Sequence, residues 1–124
     1  NSQVNKIAAV DTVIRFNKDI LEVVDVAPFN IFSTYPDASR VIDNRNGLVF
    51  LSAVNYDRTT QSFSPPFENI GIFGRITFQV KQSLPTNIDF VYGQGAQDET
   101  NIIEGQTGTD ILFDKSQLVG TAIN

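Results

Sequence analysis

Carboxylates are the side chains of this sequence that could do chemistry, because the chain has 14 Asp and Glu residues but no His and no Cys. Without imidazole and thiol groups it builds no Ser-His-Asp triad, no cysteine nucleophile and no His/Cys zinc site. A pair of carboxylates ~5 to 10 Å apart could serve a glycosidase. With 14 carboxylates such a pair is expected by chance, and no spacing singles one out, so we predict that the protein is not an enzyme.

Four acidic residues are the candidates for binding a cation. Ca²⁺ takes several oxygen ligands, and acidic loops supply them. The stretch 98–110 lacks the spacing of an EF-hand loop, and the adjacent side chains of an extended chain diverge. A solvated acidic loop is therefore the favoured interpretation, and we predict no metal and no other cofactor, while Ca²⁺ binding by this stretch stays open. The four residues are Asp98, Glu99, Glu104 and Asp110.

The charge and the apolar runs of the chain argue against two classes of partner, nucleic acids and membranes. The net charge is −5 and the pI is about 4.4, so the domain repels phosphate backbones. The nine Lys and Arg residues are scattered along the sequence, so we predict no nucleic-acid partner. No apolar run approaches the ~18 residues that a membrane span needs, and we predict no membrane insertion.

The elements that must position these residues are predicted to be strands. Alternating apolar segments recur about every ten residues, separated by clusters of Asn, Asp, Gly, Pro and Ser, which is typical of an all-β sandwich or barrel. We predict one β-sandwich domain over residues 1–124, with polar loops at 55–68 and 93–109. The predicted strands are 6–16, 21–27, 39–43, 48–54, 70–81, 87–92, 110–113 and 117–123.

Period-two alternation assigns the side chains of the first strand to two faces. The mostly apolar face, which we predict to lie inside the sandwich, carries Ala8, Val10, Thr12, Ile14 and Phe16. The other face is also rich in apolar residues, and an exposed apolar patch often marks an interaction surface. A loop or a further strand could equally cover this face. The residues that we predict to contact a partner are Ile7, Ala9, Asp11 and Val13.

Aromatic and branched side chains supply the predicted core and one alternative binding site. The residues that we predict to be buried are Phe16, Val23, Phe50, Ile76, Phe78 and Val80. Four further aromatics lie in predicted loops, where they could form a platform for a carbohydrate. Trp, the usual platform residue, is absent, and loop aromatics more often anchor a loop to the core. These four residues are Tyr35, Tyr56, Phe63 and Phe67.

Residues 7–23, IAAVDTVIRFNKDILEV, resemble the cohesin family, in which an alternating strand, a polar turn and a "LEV" strand follow one another. The segments GLVFLSAV, IFGRITFQVK, NIDFV and DETNIIEGQTGTDIL fit the family pattern in the same order. The resemblance implies a β-sandwich with jelly-roll topology. It also implies a non-catalytic extracellular or cell-surface module for display, adhesion or assembly, which binds a dockerin-like protein or associates with itself.

The resemblance also sets two expectations about the site and the strands. Asp11 matches an acidic residue of the family's polar outer face, whereas Ala9, Ile42 and Val54 stand where the family has polar, aromatic and acidic residues. Cohesins carry roughly two more strands before the first strand of this sequence, so we expect bare strand edges and a partly open core. The missing strands could be omitted, replaced by residues 1–6, or supplied by a neighbouring molecule. The third case predicts a subunit of an extracellular filament, and a carbohydrate-binding module is the other alternative.

Overall fold

The computed structural model describes residues 6–93 and 98–124, and the regular secondary structure of this part of the chain is almost all β-strand. Two short 3₁₀ turns, Asp37–Ser39 and Lys115–Gln117, accompany the strands. Within these residues no helix is long and apolar enough to span a bilayer. The strands are β1 (Ile7–Phe16), β2 (Leu21–Pro28), β3 (Arg40–Asp43), β4 (Leu48–Val54), β5 (Tyr56–Asp57), β6 (Ser62–Phe63), β7 (Gly74–Val80), β8 (Thr86–Phe90), β9 (Asn101–Glu104) and β10 (Thr121–Ile123).

The larger sheet has six strands, and β1 lies at its centre. Its order is β10-β8-β1-β4-β3, and all of its neighbours are antiparallel. β9 joins the same edge of β1 as β8, because β8 pairs with residues 14–16 and β9 with residues 7–11. Between them, the hydroxyl of Thr100 accepts a hydrogen bond from the N–H of Val13 (3.1 Å) and donates one to its C=O (3.2 Å). A side chain thus continues the ladder where the two strands separate.

The smaller sheet, β2 and β7, packs against the larger one to form a β-sandwich. This confirms the predicted all-β fold. Apolar side chains from both sheets make two clusters between the layers. The buried members of the first cluster are Phe16, Ile20, Leu21, Val23, Val26, Val49 and Leu51. The buried members of the second cluster are Ile7, Phe32 and Ala53.

One asparagine pairs with the outer edge of β2 at Val23. The side-chain amide of Asn44 accepts a hydrogen bond from the N–H of Val23 (2.8 Å) and donates one to its C=O (2.9 Å). Asn44 lies in the turn between β3 and β4, so this pair of bonds also ties the two sheets together. The turn closes at Gly47, whose positive φ of 69° and whose contact with the carbonyl of Phe16 leave no space for a Cβ atom.

The predicted strands agree with the structure in the first half of the chain and less well in the second. β1 to β4 begin or end within one residue of the predicted bounds. β9 lies in a stretch predicted to be a loop, because its polar neighbours hide a four-residue strand. The prediction of a strand at 110–113 is wrong, since Asp110 makes only an isolated bridge to Ile103. Residues 115–117 form a turn that the carboxylate of Asp114 caps, so β10 begins only at Thr121.

The predicted core is correct in part. Phe16 and Val23 are buried. Ile76 and Phe78 are half-buried and pack against the first cluster. Burial is wrongly predicted for Val80, which is 57% exposed at the end of β7. It is also wrongly predicted for Phe50, which is half-buried and belongs to neither interior cluster.

Candidate functional site

A bulge in β1 reverses the alternation on which the predicted site was based. The register with β9 shifts between Ile7 and Ala9, and an extra residue in a strand moves the preceding side chains to the opposite face. Ile7 therefore points into the sandwich, where it is 6% exposed and packs with Phe32 and Ala53. The prediction that Ile7 lies on the outer face is wrong.

Val13 lies on the outer side of β1 but is covered by its neighbours. It stands directly opposite Phe50 of β4. Its backbone is bonded on the other side to Thr100 and to the N–H of Val91. The side chain of Val13 is only 4% exposed. Of the two alternatives that the sequence left open for this face, Val13 is covered, so it offers a partner almost no accessible area.

Ala9 and Asp11 remain at the surface of the outer face. Asp11 lies opposite Ser52 of β4, and Ala9 lies opposite Val54. All four side chains are half-buried, so each of them reaches solvent in part. Contact of Ala9 and Asp11 with a partner stays a prediction, and Val54 and Ser52 are the neighbours that would share such a contact.

Phe50 and Val41 form the apolar centre of the same face. Phe50 lies between Val13 of β1 and Val41 of β3, and it is half-buried, while Val41 is 42% exposed. Apolar and aromatic residues at the centre with polar residues around them are typical of protein-docking surfaces. We call this surface the outer-face patch and define it as Ala9, Asp11, Val41, Phe50, Ser52 and Val54.

Charged residues border the patch at the end near the β3–β4 turn. Arg15 of β1 lies between Leu48 of β4 and Asp89 of β8. Asp43 of β3 is also opposite Leu48, and its carboxylate accepts hydrogen bonds from the side chain and the backbone N–H of Asn46 (2.7 and 3.1 Å). These bonds hold the pKa of Asp43 below its usual value. The border thus carries both signs of charge, the guanidinium of Arg15 and the carboxylate of Asp43, on either side of Leu48.

The sequence prediction missed Val41, Phe50 and Ser52. A signal for Phe50 and Ser52 was present in the alternation of β4. If Val49, Leu51 and Ala53 face inward, the residues between them must face outward. The continuous apolar run LVF at the start of β4 concealed that alternation.

The acidic stretch 98–110 uses two of its carboxylates to shape the chain. Glu104 accepts hydrogen bonds from the N–H (2.8 Å) and the hydroxyl (2.9 Å) of Thr107, and the backbone bond is the main cause of its lowered pKa. Asp110 accepts a hydrogen bond from the N–H of Ile102 (3.1 Å). In residues 6–93 and 98–124, no group of three or more acidic side chains is arranged to hold a metal ion.

The four loop aromatics separate into two pairs. Tyr35 and Phe67 pack against the second interior cluster, so they anchor loops to the core. Tyr56 and Phe63 contact each other edge-on across the short hairpin of β5 and β6, with ring centroids 5.2 Å apart. Phe63 is 76% exposed. An edge-to-face pair offers a single exposed ring and no continuous flat platform for a sugar.

Comparison with protein families gives one match over most of the chain. The model of the family described as "Cohesin domain" matches residues 1–112. Comparison with curated proteins gives no match.

Solved structures with a similar fold are cohesins in complexes. A structure of the third cohesin of ScaC with the ScaB dockerin, from Acetivibrio cellulolyticus, has a TM-score of 0.56 and 17% identity, and the match covers 86% of this chain and 70% of that one. The cohesin CaCohA2, also in complex, has a TM-score of 0.55 and 14% identity, with 86% and 72% covered. The cohesin of OlpC from Clostridium thermocellum has a TM-score of 0.52 and 14% identity, with 80% and 64% covered.

Proposed function

Because this chain belongs to the cohesin domain family, we propose that it is a non-catalytic protein-binding module whose outer-face patch docks a dockerin or a dockerin-like protein. The observation that carries the proposal is the patch itself. Phe50 and Val41 offer apolar area on a sheet face, and Asp11 offers a carboxylate beside them. The prediction of a partner contact by Ile7 and Val13 is replaced by contact through these residues.

The solved relatives support a dockerin as the class of partner. The structures from A. cellulolyticus and C. thermocellum are both described as cohesin–dockerin complexes. Family membership also supports an extracellular or cell-surface location, because cohesin modules serve attachment and assembly there. We propose that location for this protein as well.

The chemistry of the patch sets what the partner must offer. Desolvation of Phe50 and Val41 requires an apolar surface opposite them, and aromatic residues near the centre of an interface contribute most to affinity. Asp11 favours a Lys or Arg side chain on the partner, while Asp43 and Arg15 at the other end of the patch can bind charges of either sign. A partner helix or loop with apolar residues flanked by basic ones fits this arrangement.

The test compares two lysine substitutions at exposed valines on opposite sides of the sandwich. Val41→Lys places a charge in the patch, whereas Val24→Lys places one on β2, where Val24 is 52% exposed. Isothermal titration with a panel of dockerins, including the ScaB dockerin, should identify a binder of the parent chain. Val41→Lys should then weaken its affinity at least about tenfold, a loss of about 1.4 kcal/mol, and Val24→Lys should not.

A third variant tests the charged part of the patch. Asp11→Asn keeps the size of the side chain and removes its charge, so it should slow association and reduce the dependence of affinity on salt. Equal thermal unfolding of the variants and the parent shows that the fold is intact. The docking proposal is overturned if no dockerin binds, or if Val41→Lys and Val24→Lys bind equally well.

A further inference from the structure

Asn46, in the turn between β3 and β4, is placed where the side chain of an asparagine can react with its own backbone. It is the one asparagine of the sequence that is followed by glycine, and glycine has no side chain to shield its nitrogen. The fold requires this glycine, because Gly47 has a positive φ of 69° and lies against the carbonyl of Phe16. Asn46 itself is exposed to solvent. The residue that the turn needs is thus also the one that makes Asn46 the most reactive asparagine of the chain.

The carboxylate of Asp43 holds Asn46 by two hydrogen bonds. One oxygen accepts from the side-chain nitrogen of Asn46 (2.7 Å), and the other accepts from its backbone N–H (3.1 Å). On the other side of Asn46, the C=O of Gly47 accepts a hydrogen bond from the N–H of Phe16 (2.9 Å), and Gly47 is buried. The side chain of Asn46 and the backbone before and after it are therefore fixed in the folded chain.

The reaction open to Asn46 and Gly47 is a cyclisation followed by hydrolysis. The backbone nitrogen of Gly47 gives its proton to a base in solution and forms a bond to Cγ of Asn46. The bond from Cγ to the side-chain nitrogen breaks, and ammonia leaves with a proton from water. A second water molecule opens the cyclic imide at either carbonyl, which leaves aspartate or isoaspartate at position 46. Ring closure must turn the side chain of Asn46 away from its position on Asp43.

We propose that Asn46 is a site of spontaneous deamidation and that Asp43 is a positioning residue that slows the reaction in the folded chain. The product alters the turn in two ways. A carboxylate replaces the amide that donates to Asp43, so that two like charges face each other. Isoaspartate also lengthens the backbone by one carbon between Asn44, which ties the turn to β2, and Gly47, which ties it to β1. Deamidation therefore weakens the turn at the charged end of the outer-face patch, whether or not that patch docks a dockerin.

The test follows deamidation of the chain 1–124 by mass spectrometry in mildly alkaline buffer, with and without urea. Digestion into peptides locates the modified residue, and fragmentation separates isoaspartate from aspartate. In urea, position 46 should react before every other asparagine. In the folded chain the same position should react at least about tenfold more slowly, because the reaction then requires local opening of the turn.

Three variants separate Asp43 from the rest of the turn. Asp43→Ala removes the acceptor of both hydrogen bonds, so it should speed the reaction of the folded chain at least about threefold and leave the rate in urea unchanged. Asn44→Ala loosens the attachment of the same turn to β2 but keeps both bonds to Asp43, so it should speed the reaction less. Asn46→Gln, with one more carbon in the side chain, should give no product at this position.

The product itself tests the effect on the turn. Chains modified at position 46 separate from the parent by their extra negative charge in ion exchange, and they should have a lower Tm. An unchanged Tm would overturn the weakening of the turn. The site is overturned if position 46 does not react first in urea. The protection is overturned if folded and unfolded chains react at the same rate, or if Asp43→Ala reacts no faster than the folded parent. Equal acceleration by Asn44→Ala would also overturn the role of Asp43, because it would assign the protection to the rigidity of the whole turn.

Discussion

β4 and β7 have the same length and the same kind of sequence, yet they differ in burial. Each has seven residues with apolar side chains at alternate positions. The inward residues of β4, Val49, Leu51 and Ala53, are at most 3% exposed, whereas Val80 at the end of β7 is 57% exposed. β4 has a neighbour on each side, β1 and β3, while β7 pairs with β2 alone among the described strands. β2 also pairs with β7 alone among the described strands, yet its inward Leu21, Val23 and Val26 are at most 3% exposed, and Asn44 of the β3–β4 turn is bonded to its outer side. Cover beside a strand, by another strand or by a turn, therefore matters more for the burial of its apolar face than the alternation does.

The largest effect that this comparison predicts is the difference between two truncations. Leu51→Ala should destabilise the fold by about 2–5 kcal/mol, because it leaves a cavity in the closed part of the core. Val80→Ala should change the free energy of unfolding by less than about 0.5 kcal/mol, because the side chain is already largely in water. Urea denaturation of both variants measures the difference.

Equal losses in the free energy of unfolding for Leu51→Ala and Val80→Ala would contradict the difference between β4 and β7, since they would mean that Val80 is buried in solution. The m-value is the internal control. It should be the same in both variants if the unfolded state is unaffected.

A smaller effect is expected at the covered edge of the smaller sheet. Asn44→Ala removes the partner of both the N–H and the C=O of Val23, which is 3% exposed. Buried backbone groups without partners cost about 1–3 kcal/mol. Asn30→Ala, at an exposed asparagine in the loop after β2, is the control and should cost less than about 0.5 kcal/mol.

Hydrogen exchange sharpens the same prediction. In Asn44→Ala the amide of Val23 should exchange faster, while those of β4 keep their protection. If the amide of Val23 stayed protected in Asn44→Ala, a group other than Asn44 would cover it. The bonds of Asn44 would then not explain why β2 is more buried than β7.

The fold could be predicted largely because alternation and turn residues are local signals. The Asn44–Gly47 turn and the bounds of β4 were both readable from the sequence. The role of Asn44 was not, because its partner Val23 is 21 residues away and belongs to the other sheet. The position of β9 was hidden for a similar reason, since this four-residue strand is stabilised by its pairing with the distant β1.

The candidate site was predicted only in part because bulges leave no clear mark in this sequence. Ala8 and Ala9 are small, and neither side chain is restricted to one face, so the reversal that buries Ile7 is not visible. The second bulge, between Val23 and Asp25, similarly leaves Val24 52% exposed. Asp11 was placed on the outer side correctly, because it lies beyond the first bulge, where alternation holds.

The smallest expected effect concerns the β3–β4 turn, which holds one of the two neighbours of β4. Hydrogen bonds from Asn46 lower the pKa of Asp43 from its usual value of 3.8. A carboxyl group whose pKa is lowered by folding stabilises the protein above its unfolded pKa, and this contribution is lost as the pH falls through the folded pKa. Asp43 lies at the surface, where solvent screens its charge, so the effect on stability should be smaller than that of either substitution above.

Asp43→Asn should therefore lower the Tm slightly at pH 6 and reduce the fall in Tm between pH 6 and pH 3. Asp25→Asn, at an exposed acid of β2, is the matched control, and its Tm should fall with pH as that of the parent does. Scanning calorimetry across this range measures both. If Asp43→Asn lost as much Tm on acidification as the parent, the bonds from Asn46 would not stabilise the turn. The β3–β4 turn would then be held by the ladder between the two strands and by the bonds of Asn44 to Val23, without a contribution from Asp43.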